Sequence, residues 1–155
     1  MMGSLRKIVR DERGTSLIET ALIAPMLAAM IVGMVDLSRG YAAKLKLEQA
    51  AQRTIEKIQR HGYNVDGKTT DADLKTDAAA AAGVSSGDVT VTKTLRCGTA
   101  QTVTSWTGSC TEGQPFARYV QVSVQGSYTP LFALTWNRTA SSAYTIIGVA
   151  GMRIQ

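Results

Sequence analysis

Apolar residues dominate one long stretch near the start of the chain. From Thr15 to Val35 there are 21 residues and a single charge, the carboxylate of Glu19. As a helix this stretch spans roughly 31 Å, about the thickness of a hydrocarbon core, and it reads as a membrane anchor. Pro25 inside it removes an amide donor and frees the carbonyl of Ala21, which predicts a kink rather than a break. Beyond Asp36 the pattern becomes periodic. Leu47, Ala51, Ile55 and Ile58 form one apolar stripe, with Glu48, Gln52, Glu56 and Gln59 on other faces and His61-Gly62 as the stop. One helix from Thr15 to His61 is therefore expected, a rod of about 70 Å whose second half needs a cover for its stripe.

The remaining positions alternate on shorter periods. Asn64 to Thr70 is polar loop. A helix from Asp71 to Ala82 is expected, with Asp71 as its cap, Gly83 as its stop and a five-alanine run suited to close packing. Asp88 to Leu95 and Tyr119 to Gln125 alternate as strands; in the second, Val120, Val122 and Val124 share one face. Thr129-Pro130-Leu131-Phe132 breaks the pattern, and Leu134-Thr135-Trp136 reads as a short apolar turn against the membrane surface or the core. Ser142 to Ile154 is a last strand in which Gly148 and Gly151 weaken the pairing or mark a bulge. The fold class is α+β: a long N-terminal helix continuing into a small head with one short helix and three or so antiparallel strands.

Charge and composition narrow the reading. A chain of 155 residues has room for one anchor and one modest domain. Up to Gly14, four basic residues face two acidic ones, and over the rest thirteen face ten, so the +5 divides into +2 and +3. The second value is too dilute for a nucleic-acid footprint, and no nucleic-acid partner is expected. Residues 1–14 form a short basic flank of the kind held on the cytoplasmic side, although Arg39, Lys44 and Lys46 after the anchor make the asymmetry moderate. The apolar run is longer than a secretory signal's, and no A-x-A site follows it before Asp36. Cys97 and Cys110 read as a disulfide in an extracytoplasmic head and as free thiols in a cytosolic one; bridged, they contribute about 3 kcal/mol. Between them Trp106 offers a contact site or folds back on the sheet.

Candidate chemistry is sparse. His61 is the sole histidine, and there is no H-E-x-x-H, C-x-x-C or G-x-S-x-G. Gly83-Val84-Ser85-Ser86-Gly87 lacks a phosphate loop's lysine. Asp71, Asp73 and Asp77 are spaced like weak calcium ligands, but no EF-hand glycine and glutamate complete them, and a solvated helix start is the simpler reading. No catalytic residue, metal or cofactor is expected, and the chain is not expected to be an enzyme.

Glu19 remains to be explained. A carboxylate in a membrane helix costs about 2.5–3.5 kcal/mol at mid-depth, and no Lys or Arg lies within a turn of it inside the span. Cleavage after Gly14 would leave Thr15 with a positive α-amine one helical turn away, on the same chain or a neighbouring one. Arg13-Gly14-Thr15-Ser16-Leu17-Ile18-Glu19 before an apolar helix resembles the type IV prepilin processing motif. Ala24-Pro25 followed by Gly33-Met34-Val35-Asp36-Leu37-Ser38-Arg39-Gly40-Tyr41 is similar to TadE-like pseudopilins of the tight-adherence (Flp/Tad) pilus system. So are Leu47-Glu48-Gln49-Ala50-Ala51, the Val-x-Val-x-Val strand with its Pro-Leu, and the ending Gly151-Met152-Arg153-Ile154. Residues 67–114 match least.

The resemblance implies a prepilin peptidase that cuts between Gly14 and Thr15, and a Glu19 that guides subunit assembly. It makes Pro25, Gly33, Asp36, Arg39 and Tyr41 family-motif positions. It implies a cleaved cytoplasmic leader (1–14), a helix (15–61) spanning the inner membrane to about residue 36, and a periplasmic head (62–155). Implied partners are other pilins or pseudopilins, the inner-membrane assembly platform and membrane lipid. Major Flp pilins are little more than the helix, so a head of about 90 residues points to an accessory subunit that stays in the membrane or enters the extracellular pilus. Two other readings stand beside it. One is an uncleaved signal-anchored envelope protein whose head binds a partner or the cell wall. The other is a pseudopilin of a type II secretion machine, for which the aromatic after the glycine is missing.

Overall fold

The computed structural model describes residues 13–63, 69–98, 101–103, 106–131 and 143–154, with the side chains of 13–15 and 101–103 excluded. Residues 1–12 of the leader, most of the 64–70 loop, Phe132, the Leu134-Thr135-Trp136 turn and the expected strand start Ser142 lie outside the described residues. Helix α1 (Arg13–His61) is followed by α2 (Asp71–Ala82), a 3-10 turn (Ser86–Asp88), and strands β1 (Val89–Cys97), β2 (Gln101–Val103), β3 (Phe116–Tyr128) and β4 (Tyr144–Arg153). The chain divides into two units, Met1–Arg39 and Gly40–Gln155, and α1 contributes to both.

The expected long helix is present and continuous through Pro25. It stops where Gly62 turns left-handed at φ 73° and donates its amide to the Ile58 carbonyl at 2.8 Å. Exposed His61 is its last residue, with Arg60 beside it in the final turn, where cations complement the helix dipole. The predicted stripe Leu47, Ala51, Ile55 and Ile58 is buried, and Ala50 and Thr54 join it. Buried Thr54 is satisfied locally, its hydroxyl donating to the Ala50 carbonyl at 2.9 Å.

The second helix begins one residue earlier in function than its sequence suggests. Its cap is Thr70 rather than Asp71: the Thr70 hydroxyl accepts from the Asp73 amide while the Asp73 carboxylate accepts from the Thr70 amide at 3.1 Å. This reciprocal box satisfies two otherwise orphaned donors and leaves Asp71 free for another partner. The alanine run packs as expected, burying Ala78, Ala79 and Ala82 beside Leu74. Gly83 ends the helix in the left-handed region.

The sheet is antiparallel, in the order β2-β1-β3-β4, with three long strands and a three-residue β2 inside the cysteine loop. β1 runs past its predicted end to Cys97, and β3 starts early at Phe116, because the two share nine consecutive pairs, from Val89 opposite Val124 to Cys97 opposite Phe116; pairing with β4 carries β3 on to Tyr128. Val120, Val122 and Val124 face inward, closing one core with α1 and α2. β4 pairs with β3 in unbroken register from Tyr144 to Arg153, so neither Gly148 nor Gly151 makes a bulge.

Candidate functional site

In the first unit the apolar surface of α1 is bare. Leu22, Met26 and Leu37 are 72%, 73% and 76% exposed. The helix contains an 18-residue window of mean hydropathy 2.0, none of it buried, and is long and apolar enough to cross a membrane. A helix apolar on every side buries itself in lipid or among other apolar helices, and its backbone is already hydrogen-bonded internally. Glu19 is exposed on this surface. Neighbouring Thr20 uses its hydroxyl on the Ser16 carbonyl at 2.9 Å. Gly14 and Thr15 lie in the first turn of α1. Pro25, Gly33, Asp36, Arg39 and Tyr41 follow along the same helix: Asp36 is half-buried, Arg39 and Tyr41 are exposed, and a Cβ on Gly33 would meet nothing within 4 Å. These positions are strung along one helix.

The second unit holds a seam that sequence reasoning missed. Leu47 lies across two glycines on adjacent strands. A Cβ on Gly126 would come within 3.1 Å of the Leu47 side chain. A Cβ on Gly148 would come within 2.4 Å of the Glu48 amide nitrogen and of the Leu47 carbonyl carbon. The helix backbone thus touches the β4 backbone, which is possible only where the strand carries no side chain. The signal was visible as Gly126 in β3 and Gly148 in β4, but which helix residue they received was not.

A polar clamp closes the far end of the core. The Tyr63 hydroxyl donates to Asp71, and the Lys93 ammonium donates to the same carboxylate at 2.7 Å. Lys93 also sits 5.4 Å from the Tyr63 ring centre, and Trp106 meets that ring edge-on at 5.4 Å. Burial raises the Tyr63 pKa, helped by its bond to Asp71. For Asp71, burial alone pushes upward, but the bonds from Lys93 and Tyr63 outweigh it and hold the carboxyl below its usual value. The bond to Asp71 raises Lys93. The three aspartates with calcium-like spacing are therefore engaged elsewhere: Asp71 in this clamp, Asp73 in the Thr70 cap and Asp77 with Lys57.

Trp106 is folded back onto the core, half-buried, with the Arg118 guanidinium 5.8 Å from its ring and 5.5 Å from that of Phe116. Cys97 and Cys110 are joined, their Cα atoms 5.5 Å apart. The bridge ties the Trp106 loop to the end of β1.

Residues 14–55 match the family model TadE, described as TadE-like protein. The matched segment takes in Gly14, Glu19, Pro25, Gly33, Asp36, Arg39 and Tyr41, and it ends within the buried stripe of α1. No curated protein and no solved structure matches the chain.

Proposed function

We propose that this chain is a TadE-type minor pilin or pseudopilin: a non-catalytic subunit that a prepilin peptidase cuts between Gly14 and Thr15. The observation that carries the reading is the TadE-like segment itself, whose exposed apolar run from Thr15 to Val35 carries a single charge, Glu19, five residues after Gly14. In this reading residues 1–14 are a cytoplasmic leader, α1 crosses the inner membrane to about residue 36, and the rest of the chain lies in the periplasm. The bridged cysteines support that side, since disulfides persist in oxidising compartments.

After cleavage the Thr15 α-amine neutralises Glu19, from its own chain or the next subunit, and the apolar surface of α1 passes from lipid to neighbouring pilin helices. The pair turns an expensive buried charge into a register mark, because sliding one helix along another separates amine from carboxylate. The head initiates, caps or joins a Flp/Tad fibre delivered by the inner-membrane assembly platform. Mass measurement of the mature N-terminus, made with and without a prepilin peptidase, tests the first step. Thr15 as the peptidase-dependent first residue is the expected result, and any other mature terminus overturns the processing claim. Glu19→Ala should retain processing and lose assembly; if assembly is retained, the pairing role fails.

A further inference from the structure

The two ends of the cysteine bridge stand in unlike surroundings. Cys97 is 5% exposed and ends β1, where it pairs with Gln101 of β2 on one side and Phe116 of β3 on the other. Cys110 lies outside the helices and strands and is half-buried. With the exposed residues Ser109, Thr111, Glu112 and Gly113 it lines an open hollow of about 420 Å³, to which Cys97 does not contribute. Just past Cys110 the chain makes a tight turn: the Gln114 amide donates to the Thr111 carbonyl at 3.1 Å, and Gly113 is left-handed at φ 84°. One sulfur therefore sits on a strand paired on both sides, and the other on a surface loop beside open space.

This difference decides how the bridge can react. A thiolate opens a disulfide by attacking one sulfur in line with the S–S bond and expelling the other, so access to each sulfur sets which one is attacked. Approach to Cys97 is closed by its burial and by the strands on either side, whereas approach to Cys110 runs through the hollow. We propose that Cys110 is the exchange site of the bridge, and that its partner is a dithiol–disulfide oxidoreductase. The partner's thiolate attacks the Cys110 Sγ, forming a mixed disulfide. The bond to Cys97 breaks, and its electron pair leaves on the Cys97 Sγ, which takes a proton from water. The partner's second thiolate then attacks its own sulfur in the mixed disulfide and expels Cys110 as a thiolate. The partner's dithiol is oxidised to a disulfide, and the bridge is reduced to two thiols. The same steps in reverse, with an oxidised partner, make the bridge. Opening it releases the closed loop that carries β2 and Trp106, so the fit of Trp106 against Tyr63 comes under thiol control.

The test uses the full, oxidised chain in detergent, with reduced glutathione as the attacking thiol. Early in the reaction free thiols are blocked with a maleimide, and the peptides are mapped by mass spectrometry. Glutathione on Cys110 with maleimide on Cys97 is expected to exceed the reverse arrangement by at least about tenfold, and concentrated guanidinium chloride should abolish the preference. A second measurement compares single thiols. In the folded chain Cys97→Ala, which leaves Cys110, should react with an aromatic disulfide at least about tenfold faster than Cys110→Ala, which leaves Cys97. The first measurement needs no substitution, so it decides the matter even where a chain without its bridge fails to fold. Any of three results overturns the proposal: glutathione found on Cys97 as often as on Cys110, a mixed disulfide that forms only in denaturant, or equal rates for the two folded variants. None of these bears on cleavage at Gly14, so the two readings fail separately.

Discussion

Gly148→Ala isolates the contact on which the head is built. An ideal Cβ at this position stands 2.4 Å from both the Glu48 amide nitrogen and the Leu47 carbonyl carbon, and 2.7 Å from the Leu47 Cβ. Ordinary carbon contacts sit at about 3.5–4.0 Å, so helix and strand must separate locally by about 1 Å. Two of the three atoms are backbone and cannot rotate away. Overpacking usually costs about 1–3 kcal/mol, and the upper end, about 3 kcal/mol, applies here. For a domain of roughly 100 residues that corresponds to a Tm loss of about 12–24 °C. Near-ultraviolet circular dichroism of the full chain in detergent follows the unfolding through the packed Tyr63 and Trp106 rings. Gly33→Ala is the control: its Cβ meets nothing within 4 Å, and replacing a helix-interior glycine should leave stability unchanged or raise it by up to about 1 kcal/mol. A Gly148→Ala loss below about 3 °C would refute backbone contact between α1 and β4.

Other consequences follow from the same geometry. Removing the bridge with Cys97→Ser and Cys110→Ser should cost about 3 kcal/mol, measured by denaturant midpoint, and should loosen the Trp106 loop. Thr70→Ala should cost about 1 kcal/mol by the same measurement, because it breaks the reciprocal cap of α2. The clamp predicts loss of stability at both ends of the pH scale. Asp71 is depressed, so its contribution is present above its ordinary value of 3.8 and fades as pH falls through the lower folded value; Asp71→Asn should flatten that acid limb. Tyr63 and Lys93 are raised, so theirs are complete below the ordinary values of 10.0 and 10.5 and fade as pH climbs through the folded ones; Tyr63→Phe should shrink the alkaline limb. Thermal midpoints measured across pH check both.

Most of the element order was legible because each signal was local. Twenty-one residues with one charge make a helix apolar and long enough to cross a membrane, and Leu47, Ala51, Ile55 and Ile58 repeat at a helical period that needs a cover. The left-handed stops at Gly62 and Gly83 depend on the absence of a Cβ, which the residue type alone reveals. Strand limits were harder. Pairing with a neighbour, not propensity, extended β1 to Cys97 and β3 from Phe116 to Tyr128. β2 was hidden inside the cysteine loop because three residues carry too little pattern. The cap slipped from Asp71 to Thr70 because both residues can cap, and Asp71 was drawn into the clamp by Tyr63 and Lys93, 8 and 22 residues away.

For the candidate site the division is sharper. Gly14, Glu19 and the apolar run between Thr15 and Val35 were picked out from the sequence alone, since a lone carboxylate in an apolar run stands out whatever the rest of the fold. Tertiary structure alone decided that Gly148 receives the backbone of α1. It alone folded Trp106 inward onto Tyr63. It alone set Tyr119 beside Arg153, 34 residues apart in sequence, through the register of β3 and β4. The physical reason is range: hydropathy and backbone preference act within a few residues, whereas packing and sheet register join positions that sequence distance keeps apart.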